Sequence, residues 1–262
     1  MKYAVSIPTY DKAREPTLHR TVEAFLKQTS PPDLILVVDN NDIEHPVELP
    51  EDPRVVSIRN DYWVPGIIHG DQTGLRALSL VGYKYVARWD DDLVPRLDCM
   101  EKLIACMERT GSVAVGGVYP SKDRPGESRL SEDALDMVGR AELIVPDEHQ
   151  QHLQFYAWSG EHKYIKRHFL YSSFLYSVQA IQAIGGFCTE YSQHSYRADT
   201  DVTLRLGKFA GPLHVVTNAV ADHLFGEGGT RSIVGEEKDR MLDHDIHLFG
   251  LRMRALGIDP NY

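Results

Sequence analysis

Residues 85–95 read YVARWDDDLVP. Val86 to Trp89 is predicted as a strand, and it runs without a break into three carboxylates, Asp90, Asp91 and Asp92. The same pattern recurs upstream. Leu34 to Val38 is a continuous apolar run, the mark of a strand buried on both faces, and it ends in Asp39-Asn40-Asn41-Asp42. Tyr3 to Ile7 is a β-rich run closed by Pro8, with Asp11 just beyond. Val55 to Ile58 and Val113 to Tyr119 read as further strands. Leu18, Val22, Phe25 and Leu26 recur at helical spacing, with Thr17 as the expected cap. Helices are also predicted over 72–83, with Leu75, Leu78 and Leu80 apolar, and around Met100, Leu103, Ile104 and Met107. Strands alternating with helices predict βαβ units, hence an α/β fold with a central, mainly parallel sheet flanked by helices. Ligands of such sheets bind beyond the carboxyl ends of the strands. Acidic groups follow three of those ends, so they converge on one edge.

The second half is less regular. Residues 121–168 are polar and broken by Pro125, Gly126, Pro146 and Gly160. Order is expected again at Phe174 to Ile184, which stops at Gly185-Gly186-Phe187. A helix from near Asp199 to Phe209 and a strand from Leu213 to Val220 follow. A Gly-rich loop, 226–229, leads to a last helix in which Ile246, Phe249, Met253 and Leu256 share a face. No internal repeat or low-complexity linker divides the chain. One domain over 1–262 is expected, in three sections: 1–120, 121–225, and 226–262 with its loop and terminal helix.

The 262 residues carry 28 basic and 38 acidic side chains, a formal net charge of −10. That balance argues against an extensive nucleic-acid surface, which needs many cations at phosphates. With 42% apolar and 25% charged residues, the composition excludes a disordered or fibrous chain. Cys99 and Cys106, seven apart on a helix, would stand about 10 Å apart, too far for a disulfide. Three sparse cysteines fit a reducing compartment. With no transmembrane segment and no signal-peptide pattern, a soluble cytoplasmic protein is expected.

Three adjacent carboxylates repel one another, and a divalent cation relieves the repulsion. In an extended segment Asp90 and Asp92 point the same way while Asp91 faces elsewhere. Hard carboxylate oxygens suit Mg²⁺ or Mn²⁺, ions usually held by few protein ligands plus substrate phosphates. The competing reading is a solvated acidic turn.

Five segments, VSIPTYDKARE at 5–15, LILVVDNND at 34–42, GDQTGLRAL at 70–78, YVARWDDDLVP at 85–95 and YSVQAIQAIGGF at 176–187, occur in an order that resembles family-2 nucleotide-sugar glycosyltransferases of the GT-A fold. ADTDVTLRL at 198–206 and the His223 region continue the resemblance, which spans about residues 3–225. It implies metal-dependent transfer of a sugar from a nucleoside-diphosphate sugar, UDP-linked, to a hydroxyl acceptor, with inversion. By resemblance, Asp39 receives the base edge and ribose, Asp90 lies near the ribose, and Asp92 holds the metal. Pro8, Tyr10, Asp11 and Arg14 belong to the loop flanking the nucleotide, and Asp91 is counted on that side. Asp71 and Gly74 stand where the family has an asparagine and a glycine that position the nucleotide. Asp199 matches the general base, although Ala198 replaces the family's preceding glutamate, and Asp201 is a rival base. His223 resembles the histidine that completes the metal site, with Asp222 as its alternative or orienting partner. Arg231, in the Gly-rich loop, is a candidate phosphate contact, and Trp158 a candidate acceptor platform. An aspartate-nucleophile phosphohydrolase and a catalytically silent sugar-nucleotide or glycan-binding module are the competing functions. A nucleotidyltransferase is disfavoured, because Pro8-Thr9-Tyr10-Asp11 replaces its basic Gly-rich loop.

Overall fold

The computed structural model describes residues 1–41, 44, 46–60, 62, 66–120, 164–224 and 232–259. The strands are β1 (Ala4–Thr9), β2 (Leu34–Asp39), β3 (Val55–Arg59), β4 (Tyr85–Arg88), β5 (Leu93–Pro95), β6 (Ala114–Val118), β7 (Tyr164–Arg167), β8 (Phe174–Ser177) and β9 (Leu213–His223). The helices are α1 (Glu15–Leu26), α2 (Ile67–Leu80), α3 (Cys99–Thr110), α4 (Val178–Ala183), α5 (Ala198–Phe209) and α6 (Gly235–Ala255). They surround one sheet of order β3-β2-β1-β4-β8-β6-β9-β5, with β7 also paired to β9. β1 runs parallel to β2 and β4, and β2 to β3. The second half joins through β8, which is antiparallel to both β4 and β6, so the sheet is mixed.

Side-chain alternation divides the core into two layers. Ala4, Leu36, Val38 and Val86 face one way, onto Leu75 and Leu78 of α2, Val202 of α5 and Met253 of α6. Val5, Ile7, Ile35, Val37 and Ala87 face the other way, onto Phe25 of α1 and Leu103 of α3. The continuous apolar runs are thus explained by burial on both sides. Parallel packing leaves Thr9, Asp39 and Arg88 at the carboxyl ends of three neighbouring strands.

Most predicted elements appear, and the differences have physical causes. Helix α1 starts at Glu15, with Arg14 at the cap position. The Thr17 hydroxyl donates to the Arg14 carbonyl at 2.8 Å and is therefore not the cap. The predicted 174–184 element is a strand followed by a helix, with the Ser177 hydroxyl accepting from the Ala180 amide. Gly185 and Gly186, both at positive φ, end it as expected. Helix α2 begins at residue 67 rather than 72, across Gly70, whose low helix propensity masks its start, and it also carries Gly74. Those glycines let the helix lie against β1: a Cβ at Gly70 would stand 2.7 Å from the Pro8 Cβ, and one at Gly74 only 2.1 Å from the Ser6 Oγ. Gly74→Ala is therefore expected to destabilise the fold by about 1–3 kcal/mol through overpacking. Adding Ser6→Gly should recover most of the lost melting temperature, and no loss in the single variant would refute this packing role.

Candidate active site

The acidic cluster that follows β4 splits in three directions. Asp91 turns inward, accepting from the Thr9 hydroxyl at 2.8 Å and from the Arg14 Nε at 3.1 Å. Burial pushes its carboxyl up to about 6, with Arg14 opposing the rise. The Arg14 guanidinium also stands 2.9 Å from Asp92. Burial works against its charge, but Asp91 and Asp92 outweigh burial and raise its pKa. Arg14 is thus the built-in counter-charge of the cluster.

Antiparallel pairing of β5 with β9 sets Leu93 opposite His223. This register delivers the His223 imidazole to the carboxylate next door: Nε2 is 3.3 Å from Asp92 Oδ2. Its neighbour on β9, Asp222, pairs with Arg96 at 3.0 Å. One carboxylate and one imidazole at this separation suit adjacent positions around an ion with bonds of about 2.1 Å, where neighbouring ligands stand about 3 Å apart. Mixed oxygen and nitrogen donors fit Mn²⁺. Among the described residues no group of three such side chains forms, so a cation here would need further oxygens from a substrate. Asp90, by contrast, pairs with Arg88 and the Ser172 hydroxyl.

Asp90 belongs to a cleft of about 300 Å³ lined by Arg88, Asp90, Ser172, Tyr196, Arg197 and Asp199 among others. Arg88, buried at the end of β4, is held by Asp71 of α2 at 2.9 Å, by Asp90, and by the Ser172 carbonyl at 2.7 Å. Asp199, in the first turn of α5, accepts from the Ser172 amide at 2.8 Å and the Thr200 amide at 2.7 Å. Four non-glycine residues among those described have positive φ: Asp11, Ser172, Ser195 and Arg197. The last three all line this cleft. Such conformations cost of order 1–3 kcal/mol each and persist where surrounding contacts over-determine them. Asp245 of α6 supplies part of that constraint, accepting from the Ser192 and Tyr196 amides at 2.7 and 2.8 Å.

Asp71 is buried, and its Oδ1 has no hydrogen-bond partner. Desolvation pushes it up to about 6 from 3.8, against the pull of Arg88. Between those values the folded state binds more protons than the unfolded state, so this carboxyl's contribution to stability falls as pH rises from 3.8 to about 6. Asp71→Asn removes that term. The melting temperature of the parent relative to the variant should be highest near pH 4 and decline by pH 6.5. A difference that stays flat with pH would count against it.

Asp39, at the same sheet edge, accepts from the Asn41 amide at 2.8 Å and the Val47 amide at 3.1 Å, with the Arg59 guanidinium of β3 at 3.8 Å. Pro8 is buried within β1 beneath Gly70, and Tyr10 is half-buried beyond it. Asp11 caps a short 3-10 turn, Lys12–Arg14, through the Ala13 amide at 3.0 Å. Asp201 does not reach the cleft: it is enclosed by Arg205, by Arg252 at 2.6 Å and by the Tyr191 hydroxyl at 3.0 Å. This corrects its reading as a rival base. Gly74 packs helix α2 against Ser6 of β1. Trp158 and Arg231 lie outside the described residues. Arg88, Ser172 and Arg197 were missed from sequence. Only Arg88 left a trace there, as a lone charge inside an otherwise apolar strand.

Comparison with known proteins supplies the context. The model of glycosyl transferase family 2 matches residues 4–181, more than half of the chain. No curated protein matches. Among solved structures, GalNAc-T7 with UDP, GalNAc and Mn²⁺ superposes with a TM-score of 0.61 at 15% identity, covering 87% of this chain and 44% of that one. Staphylococcus aureus TarS 1–349 in complex with UDP-GlcNAc gives 0.62 at 15% identity, covering 97% and 66%. A longer TarS structure gives 0.58 at 12% identity, covering 95% and 40%. The chain therefore spans less than half of GalNAc-T7 and of the longer TarS. No described helix is long and apolar enough to cross a membrane. A core of strands ending in carboxylates, matched by the family model over most of its length, places the chain in glycosyl transferase family 2, as a glycosyltransferase domain of the GT-A fold.

Proposed function

We propose that this domain transfers a sugar from a nucleoside-diphosphate donor, UDP-linked, to a hydroxyl-bearing acceptor, with inversion. One observation carries the reading: Asp90 and Asp199, distant in sequence, line the same cleft and are joined through Ser172. A sugar hydroxyl is a weak nucleophile at neutral pH, and a carboxylate in reach of it can take its proton as the new bond forms. Asp199 has that role. Attack from the face opposite the leaving diphosphate needs no covalent enzyme intermediate. Asp90 and Asp39 serve the nucleotide side, with Asp11 and Arg14 in the adjoining loop. Three free cysteines suit a reducing, cytoplasmic setting.

Asp92 and His223 are the residues that would hold Mn²⁺ or Mg²⁺, and the ion would supply charge neutralisation for the leaving diphosphate. GalNAc-T7 was solved with UDP and Mn²⁺ and TarS with UDP-GlcNAc, which supports a UDP donor here. The family match favours transfer over the phosphohydrolase alternative. UDP with Mn²⁺ should raise the melting temperature, because a ligand that binds only the folded state stabilises it. Asp92→Ala should remove the Mn²⁺-dependent part of that rise. An equal Mn²⁺ response in the variant would exclude Asp92 as the metal ligand.

A further inference from the structure

We propose that Ser172 is a positioning residue that aims Asp90 at the donor. This rests on the assignment of Asp90 and Asp199 above. The polar groups of Ser172 tie α5 to the end of β4 and to the acidic turn that follows it. Its amide donates to Asp199 of α5 at 2.8 Å, its carbonyl accepts from Arg88 of β4 at 2.7 Å, and its hydroxyl donates to Asp90 Oδ2. The backbone is therefore fixed from two sides before the hydroxyl reaches Asp90. Its neighbour completes the clasp: the Ser173 hydroxyl accepts from the Asp90 amide at 2.9 Å, and the Ser173 carbonyl accepts from the buried Tyr119 hydroxyl.

The backbone at Ser172 is left-handed, with φ of 55°. Glycine adopts that conformation without cost, whereas alanine and serine do not. A residue chosen only to make the turn would be glycine. A serine held there against its preference points to use of the hydroxyl.

The test compares Ser172→Ala with Ser172→Gly, which both remove the hydroxyl but differ in backbone strain. Binding of UDP in the presence of Mn²⁺, measured by calorimetry, should weaken about tenfold in both variants, the effect of losing a hydrogen bond to a charged group. Ser172→Gly should melt no lower than the parent, which keeps the comparison valid if the alanine variant folds poorly. In an Asp90→Asn background the same changes should add less than about twofold, because the hydroxyl then has no carboxylate to aim. Parental affinity in Ser172→Gly, or full additivity with Asp90→Asn, would show that Ser172 merely shapes the turn and would overturn the proposal. Failure of UDP to bind the parent protein at all would instead sink the reading of the site.

Discussion

Asp199→Asn is expected to lower the rate of sugar transfer by about 10²–10⁴-fold, the usual contribution of a positioned general base. Nucleotide affinity should stay within about twofold. The variant is informative because it keeps the size and shape of the side chain. Asparagine keeps an oxygen that can accept from the Ser172 amide, the contact that anchors the cleft wall at 2.8 Å. What it loses is the ability to take a proton, together with the second acceptor that the Thr200 amide uses at 2.7 Å. The comparison is transfer rate against UDP affinity on one preparation. A variant that transfers normally would remove Asp199 from the mechanism, and one that loses nucleotide affinity in step with rate would make its role structural.

The second large effect is predicted two residues away, and it is of the opposite kind. Asp201→Asn should leave the chemistry of the cleft in place but destabilise the fold. Asp201 is fully buried and faces two guanidinium groups and one phenol. Neutralising it strands Arg205 inside the protein, and breaking a buried pair costs about 3–5 kcal/mol. The Arg252 side chain is 27% exposed and keeps some hydration, which favours the lower end of that range. At roughly 2–4 °C per kcal/mol for a chain of this size, the melting temperature should fall by roughly 6–12 °C. An unchanged melting temperature with lost transfer would reverse the assignments of Asp199 and Asp201.

These two neighbours show where reading the sequence stops. Both sit in the first turn of α5, where acidic residues are favoured by the helix dipole, and both fit a family base by spacing. On the helix they differ by about 200° of rotation at 3.6 residues per turn. One therefore faces the cleft and the other faces α6. Nothing in ADTD shows which is which, because the answer depends on Arg252, 51 residues beyond Asp201. The same limit applies to His223. Its chemistry was legible, but its meeting with Asp92 depends on the β5–β9 register, which pairs residues far apart in sequence. Helix α2 is a milder case: its predicted start at 72 excludes Gly70, which the structure shows packed within the helix against Pro8 of β1.

What the amino-acid order settled by itself was the alternation of elements and the edge on which acids gather. Apolar period and strand-end carboxylates are local properties, and in a parallel sheet every such end must point the same way. What only the tertiary structure decided was which carboxylate has a counter-ion and which has a cleft. Arg14, Arg88, Arg205 and Arg252 each claim an aspartate from another segment of the chain or from the next turn. A carboxylate's role follows from the charge and solvent around it, and those are set by long-range packing that short motifs do not encode.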